Sequence, residues 1–538
     1  MPGEGDEAGE KSKGNLIDLQ GRYEAEKLLD DLLRAGAGAP GHERRLAEAM
    51  RAGSPILAAA ARRLDSSRPQ RLAELANLIV AFPSRKEAIK TLLRVAMDRR
   101  NSDNRRMGAM IVLNQYLGVP PGEDFIASLR NPAQAAVSSL IGSLKEYEEH
   151  SEMLHEYFRS LLGQPVEVLY SVLATLADVP GEGAVAALRL LALQPDPDLM
   201  QGAIEALASR NEPAASRSLV ALAPNLPKET ARSLSRHLRK LQLSGHGLGA
   251  PAGHDPKGRA ILSAIDGQGK RMLWFKVPRP RPGETAIVGL LLRDSTGLMD
   301  ALGAISDGGA LFPPAAPVGT LHPPFATQVT EGAPNAALMA GLEVPFAYGL
   351  GVLRDAVARN WETKTPLPVE YQLFFDTVWR SGWGKLEEAE AYEAMSELEV
   401  TGGGMMEDDH RLLDNPVFGG WYLESGAVYL AAQEMLALDV GLPEKGAGTN
   451  WHAALPTFIK LARGDFSAGL RKVYAERLRS MSQWLYLSGQ RREAQAAVSA
   501  ARSMVASPPE ANPFVLALVQ RGVVVALEKM TNASEIEI

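Results

Sequence analysis

From Leu19 to Leu243 the chain is cut at short intervals by breaks carrying glycine and proline, and that rhythm constrains the fold more than any other feature of the sequence. The breaks are GAGAPG at Gly36–Gly41, GSP at Gly53–Pro55, PSRK at Pro83–Lys86, GVPPG at Gly118–Gly122, VPGEG at Val179–Gly183 and NEP at Asn211–Pro213. Between them lie segments of about 12 to 20 residues, the length of single helices. The first, AEKLLDDLLRA, sets Leu28, Leu29, Leu32 and Leu33 on one stripe at three- and four-residue spacing, the signature of an amphipathic helix. Helices this short cannot each bury a face alone, so they must stack on their neighbours.

Two segments carry this further. MDRRNSDNRRMGAMIVL (Met97–Leu113) and LQPDPDLMQGAIEAL (Leu193–Leu207) each follow a leucine-rich helix, pass through an Asp/Asn loop and enter a helix of small residues, Gly108-Ala109 in one and Ala203 with Ala206 in the other. This pattern resembles the HEAT and armadillo-like helical repeats, in which two antiparallel helices meet at a loop of Asp, Pro and Asn. The spacing from Asp103 to Asp198 accommodates two or three units of about 33–47 residues. The basic residue usual early in the second helix is present as Arg105-Arg106 but replaced by Met200-Gln201 in the later copy. For residues 19–243 the resemblance implies an α-solenoid whose faces serve protein partners.

SGHGLGAPAGHDPK, residues 244–257, reads as a linker. After it the pattern changes to strands: Ala260–Ile265 and Arg271–Lys276, joined through Asp266-Gly267-Gln268-Gly269, then Thr285–Arg293. Glycine and aspartate supply the positive φ angles of a tight hairpin. A phosphate-binding P-loop needs Gly-x4-Gly-Lys-Ser/Thr, whereas here Gly267 precedes Gly269-Lys270 by two and Arg271 takes the hydroxyl position. The stretch is a bend. Leu311–Pro334 is proline-rich and reads as an extended connector, closing a small β-rich segment over 258–334, and helices resume at Ala336.

The remainder, 335–530, reads as a second helical region. Its carboxyl end, RLRSMSQWLYLSGQRREAQAAVSAARSMVASPPEANP, resembles a TPR-like hairpin: Trp484 and Leu487 close one helix, Gly489 turns the chain, Glu493-Ala494 opens the next and Pro508-Pro509 ends it. Residues 1–18 and 531–538 read as tails, the first polar, glycine-rich and without the apolar core of a signal peptide. The expected fold class is therefore mostly α: an α-solenoid of HEAT-like helical hairpins, a small β-rich insert and a second helical region.

Cysteine is absent, which removes disulfides, thiolate metal sites and thiol nucleophiles and fits a cytoplasmic protein, while usage rich in alanine, arginine, glycine and proline suggests a GC-rich bacterial genome. No apolar run approaches the ~18 residues that span a bilayer. Charge is unevenly placed. Pro40–Met110 holds fifteen Lys/Arg against seven Asp/Glu, while Lys385–Val440 holds two against thirteen. Such separation means either nucleic-acid binding at the basic end or attraction between the two ends of one molecule or of neighbouring molecules.

Candidate site residues fall into three groups. In the loop Gly402–Tyr422, Glu407, Asp408, Asp409, His410 and Asp414 bring carboxylates and an imidazole close together, a donor set suited to hard divalent cations or zinc. They match no defined ligand spacing. Glu152 and His155 share a helical face as di-metal bundles require, but lack the second pair and the two further glutamates. Trp383, Trp421 and Tyr422, beside glycines, are candidate partner-binding aromatics. Arg99, Arg100, Arg105 and Arg106, within an arginine-rich stretch interrupted by the single aromatic Phe82, are candidates for a partner or a phosphate backbone. The sequence thus leads to a non-enzymatic protein-interaction scaffold, with unknown protein partners, no cofactor and no assigned metal. A metal-dependent enzyme using the Glu407–Asp414 loop and a nucleic-acid binder are the alternatives.

Overall fold

The computed structural model describes residues 21–34, 42–51, 53–120, 122, 125–147, 162–210, 212–243, 258–279, 284–306, 312–323, 340–381, 409–437 and 451–536. The protein is mostly helical, with one small antiparallel sheet, and divides into two compact units, Met1–Leu219 and Val220–Ile538. The expected linker 244–257 lies outside the described residues.

The first unit runs through α1 (residues 21–34), α2 (His42–Arg51), α3 (Ser54–Arg62), α4 (Pro69–Val80), α5 (Arg85–Met97), α6 (Asp103–Ile111), α7 (Pro132–Tyr147), α8 (Val166–Ala177), α9 (Glu182–Leu191) and α10 (Pro197–Ala208). Helix α11 (Pro213–Leu222) spans the division between units. In the PSRK break Ser84 caps α5 by accepting from the Glu87 amide, and in the two Asp/Asn loops Ser102 accepts from Arg105 and Asp196 from Leu199. Of the leucine stripe, Leu29 and Leu32 are buried with Ala25 in a core shared with α3, α4 and α5. The small residues of α6 have a packing reason. Gly108 lies against Leu64 and the Asp65 amide, where a Cβ would stand 3.2 Å from the nitrogen. After α6 one wider π-turn, Val112–Tyr116, follows.

The second unit begins with α12 (Lys228–Leu243) and a six-stranded sheet: β1 (Arg259–Ser263), β2 (Lys270–Pro278), β3 (Thr285–Arg293), β4 (Gly297–Ser306), β5 (Leu321–His322) and β6 (Gly341–Val344). The strand order is β4-β3-β2-β1-β6-β5, and every neighbouring pair is antiparallel. Successive side chains alternate between faces. One row across the sheet is Gly303, Val288, Phe275, Ala260 and Val344, and it receives α13 (Phe346–Thr363) and α14 (Val369–Ser381). Phe346 meets Phe275 edge-on at 5.3 Å, Gly349 sits on Ala260 and Phe275, and Gly303 leaves room for the Phe374 ring. On the opposite face Ile261, Met272, Trp274 and Ile287 pack with Phe312. There Arg259 holds Glu343 with two 2.8 Å bonds and donates to the Pro313 carbonyl at 2.8 Å, while His322 adds a 2.9 Å contact to the same carboxylate. This cluster fastens the proline-rich segment to the sheet.

Ala336, where helices are expected to resume, lies outside the described residues; Gly341–Val344 is a strand paired with both β1 and β5, and the helix beyond it starts at Phe346. The unit ends with α15 (Gly426–Ala437), α16 (Trp451–Asp465), α17 (Ala468–Leu487), α18 (Arg491–Ala506) and α19 (Pro513–Ile536). Helices α17 and α18 form a hairpin turning at Gly489, φ 81°, and the small residues Ala494, Ala497 and Ala500 are fully buried.

Candidate interaction surface

The arginines of the first unit separate into two classes once their partners are known. Several are consumed by the fold. Arg63 pairs with Glu26 and Asp30, Arg71 with Glu74, and Arg85 donates to the Leu117 carbonyl at 2.7 Å. Arg106 is wholly buried, donating to the Ala96 carbonyl at 2.7 Å, the Ser128 carbonyl at 2.9 Å and the Ser128 hydroxyl at 2.6 Å. Its guanidinium lies 5.7 Å from the Phe125 ring centre. As a partner-binding candidate Arg106 is therefore corrected: it ties the end of α5 to the 126–128 turn. Arg105 is half-buried and donates to Asn101 at 3.2 Å.

The second class faces solvent. Lys86, Lys90 and Arg94 recur every four residues along α5 and are exposed, followed by exposed Arg99 and Arg100 in the loop beyond it. Among the described residues none of these five forms an ion pair. Arg130, also exposed, donates to the Arg99 carbonyl and so lies beside the same loop. At 1.5 Å rise per residue the three α5 cations step about 6 Å apart along the axis. Two apolar side chains interleave with them: Leu93 is 40% exposed and Met97 58%. The acids of the segment are otherwise engaged, Glu87 by the Ser54 hydroxyl and Asp98 by the Arg100 amide at 2.9 Å. The stripe is thus a cationic surface with a greasy seam.

The other candidates lie elsewhere. Glu407 and Asp408, Trp383, and the pair Glu152 and His155 fall outside the described residues. Asp409 and His410 open a short 3-10 turn, Asp409–Asp414, whose last carboxylate is exposed. Among the described residues no group of three or more His, Asp and Glu side chains is placed to hold a metal ion.

Trp421 is fully buried, not offered to a partner. Its ring meets Phe418 at 5.1 Å, Tyr474 at 6.0 Å and Phe514 at 6.3 Å, and its indole N–H donates to the Ile265 carbonyl at 2.8 Å. Gly267 of the bend permits this depth, because it approaches the backbone of Gly420 and Trp421 so closely that a Cβ would stand 2.7 Å from both. Tyr422 is half-buried beneath the Lys529 ammonium, 5.7 Å from its ring centre.

The hairpin bend 266–269 has no amide left for a phosphate. Gln268 and Lys270 donate to the Asp266 carboxylate at 2.9 and 2.7 Å, Gly269 to the Asp266 carbonyl at 3.0 Å, and Gly267 to the Gly420 carbonyl at 3.2 Å. Burial pushes the Asp266 carboxyl above its ordinary range. Arg477 of α17 grips the outside of the bend through the Gly267 carbonyl and Asp294. This is a docking peg within the fold.

No protein-family model, curated protein or solved structure matches this chain. The assignment of a site rests on the geometry alone.

Sequence reasoning named Lys86, Lys90 and Arg94 along with Arg99 and Arg100 as one basic stretch, but missed Arg130 and the apolar seam. The spacing of Lys86, Lys90 and Arg94 is legible in the sequence. The exposure of Leu93 and Met97 is not, since apolar residues on a helix ordinarily mark the buried stripe. In α5 that stripe is Ala88, Leu92 and Ala96, and Leu93 and Met97 stand beside it facing out.

Proposed function

We propose that this chain is a non-enzymatic interaction protein: HEAT-like helical hairpins in the first unit present the outer face of α5 to a partner protein. The observation that carries this reading is the stripe of Lys86, Lys90, Leu93, Arg94 and Met97, exposed together with no ion pair among the described residues. What supports it is the grouping: two apolar side chains set within a row of cations unpaired among the described residues match the mixed face of an amphipathic partner. Arg99, Arg100 and Arg130 extend the same charge beyond the helix. The TPR-like hairpin α17–α18 belongs to the same reading as a second repeat element. No helix among the described residues is long and apolar enough to cross a membrane, and a cytoplasmic location forms part of the proposal.

The test is affinity capture from the native host with two baits, the wild-type chain and one carrying Lys86→Glu, Lys90→Glu and Arg94→Glu. A set of proteins held by the first bait and lost by the second supports the reading. Identical captured sets overturn it, and so does the recovery of stoichiometric metal and a catalysed reaction dependent on the 407–414 loop.

A further inference from the structure

We infer that the α5 stripe receives one kind of partner, an acidic amphipathic helix of another protein. The inference rests on the interaction reading above and specifies its ligand. Three features of the stripe select this occupant. First, cations at i, i+4 and i+8 repeat at the helical period, so carboxylates with the same spacing on a facing helix meet them in register. The match is one of sign and of step, about 6 Å for both helices.

Second, Leu93 and Met97 stand four residues apart within the cationic row. A partner helix laid along α5 covers them with its own apolar positions, which follow its acidic ones by three or four residues. A phosphate backbone offers nothing apolar at those positions, and the surface brings no aromatic side chain on which a base stacks. Methionine, unbranched and polarizable, adapts to varied apolar neighbours and suits a surface made to be covered.

Third, the stripe ends in a cluster of guanidinium groups. Arg99 and Arg100 follow the helix, and Arg130 bonds to the Arg99 carbonyl. The segment Arg85–Asn101 carries six basic and two acidic residues, so an acidic helix is steered to this end before it docks.

The probe is a synthetic helical peptide with glutamates at i, i+4 and i+8 and leucines at i+3, i+7 and i+11. A peptide of the same composition, scrambled to spread its charges around the helix, is the control, with a DNA duplex and a single-stranded RNA as rivals. Binding to the purified full chain is read by fluorescence anisotropy at low and high salt. The patterned peptide is expected to bind about tenfold more tightly than the scrambled one, several exposed pairs together giving that order. Lys86→Glu with Lys90→Glu and Arg94→Glu removes binding. Leu93→Ser with Met97→Ser weakens it severalfold without changing its salt dependence, a result that simple charge attraction does not give. These residues are all exposed, so the variants keep the fold, checked by circular dichroism.

Equal binding of the two peptides overturns the inference, as does a duplex or RNA that binds more tightly than the patterned peptide and ignores the Leu93 and Met97 changes. Failure of every probe also overturns it. If host capture still depends on the three cations in that case, the interaction reading survives and only its ligand is wrong.

Discussion

The indole N–H of Trp421 donates to the carbonyl of Ile265 at 2.8 Å, joining a glycine-flanked turn of the second unit to the residues just after β1, about half that unit's length away in sequence. A second indole repeats the arrangement, Trp484 of α17 donating to the Leu262 carbonyl at 2.9 Å. Both tryptophans are buried, and both use the one polar atom of a large apolar ring to satisfy a backbone carbonyl in or just beyond β1.

Replacing Trp421 by phenylalanine keeps most of the ring contacts and orphans the Ile265 carbonyl. The expected loss is roughly 1–3 kcal/mol, against about 3–5 kcal/mol for Trp421→Ala. Urea denaturation followed by tryptophan fluorescence checks the order. Equal losses for the two variants would show that the hydrogen bond contributes nothing.

Arg106 and Arg100 lie six residues apart and should behave as opposites. Arg106→Ala leaves two buried carbonyls without a donor and should destabilise the first unit by roughly 3 kcal/mol. Arg106→Lys should do nearly as much harm, since an ammonium cannot reach Ala96 and Ser128 in the forked geometry of a guanidinium. Arg100→Ala, at an exposed position, should stay within about 0.5 kcal/mol of wild type. Thermal melts read by circular dichroism decide, and a harmless Arg106→Lys would refute the assigned role.

Asn360 of α13 bonds to both sides of one peptide position in β4, accepting from the Leu298 amide at 2.6 Å and donating to its carbonyl at 2.9 Å, fully buried. Asn360→Asp keeps the acceptor and loses the donor, placing a carboxylate against a carbonyl oxygen. It should cost more than Asn360→Ala, whose loss is roughly 2–4 kcal/mol for two unsatisfied groups. Denaturation midpoints at neutral pH test the ranking. A milder Asn360→Asp would mean that the carboxyl stays protonated there.

The Tyr170 hydroxyl donates to the Asp196 carboxylate at 2.7 Å. That bond and the negative charge beside it push the Tyr170 hydroxyl up to about 12. The Leu199 amide, and after it Tyr170, holds the Asp196 carboxyl below its ordinary value. A raised tyrosine contributes stability in full below its unfolded value near 10 and loses it as pH climbs towards 12. A lowered aspartate contributes above its unfolded value near 4 and loses it on acidification. The first unit should therefore weaken at both ends of the pH scale. Tyr170→Phe should remove the alkaline loss between about 10 and about 12 while leaving most of the acid one. Unchanged alkaline behaviour in Tyr170→Phe would exclude the mechanism.

How much of this was legible in the sequence differs by element. The helices of the first unit follow from apolar spacing bounded by caps such as Ser84, Ser102 and Asp196, signals carried by neighbouring residues. The β1–β2 hairpin follows from its glycines and its Trp-Phe pair. Strand β4 does not, because GLMDALGAIS has the composition of a helix. It is held extended by pairing along the length of β3 and by Phe374 filling the space above Gly303, a tertiary choice that overrides local preference. Trp421 misled for a related reason. Glycines beside it read as exposure, but the ring is buried where Gly267, from a distant stretch, lets the bend's backbone pass against Gly420 and Trp421. The basic surface was half legible, in its charges and not in its seam.

The order of strands has a consequence for synthesis of the chain. The edge of β1 that pairs with β6 has no partner until residues 341–344 have left the ribosome, and the Leu262 carbonyl of β1 and the Ile265 carbonyl just beyond it wait longer still, for Trp484 and Trp421. A nascent chain stalled after β4 thus displays a naked, apolar ribbon edge able to recruit a like edge from a neighbouring polysome. Slower translation across that interval lengthens the exposure of this edge and is expected to raise the share of newly made protein lost to aggregation.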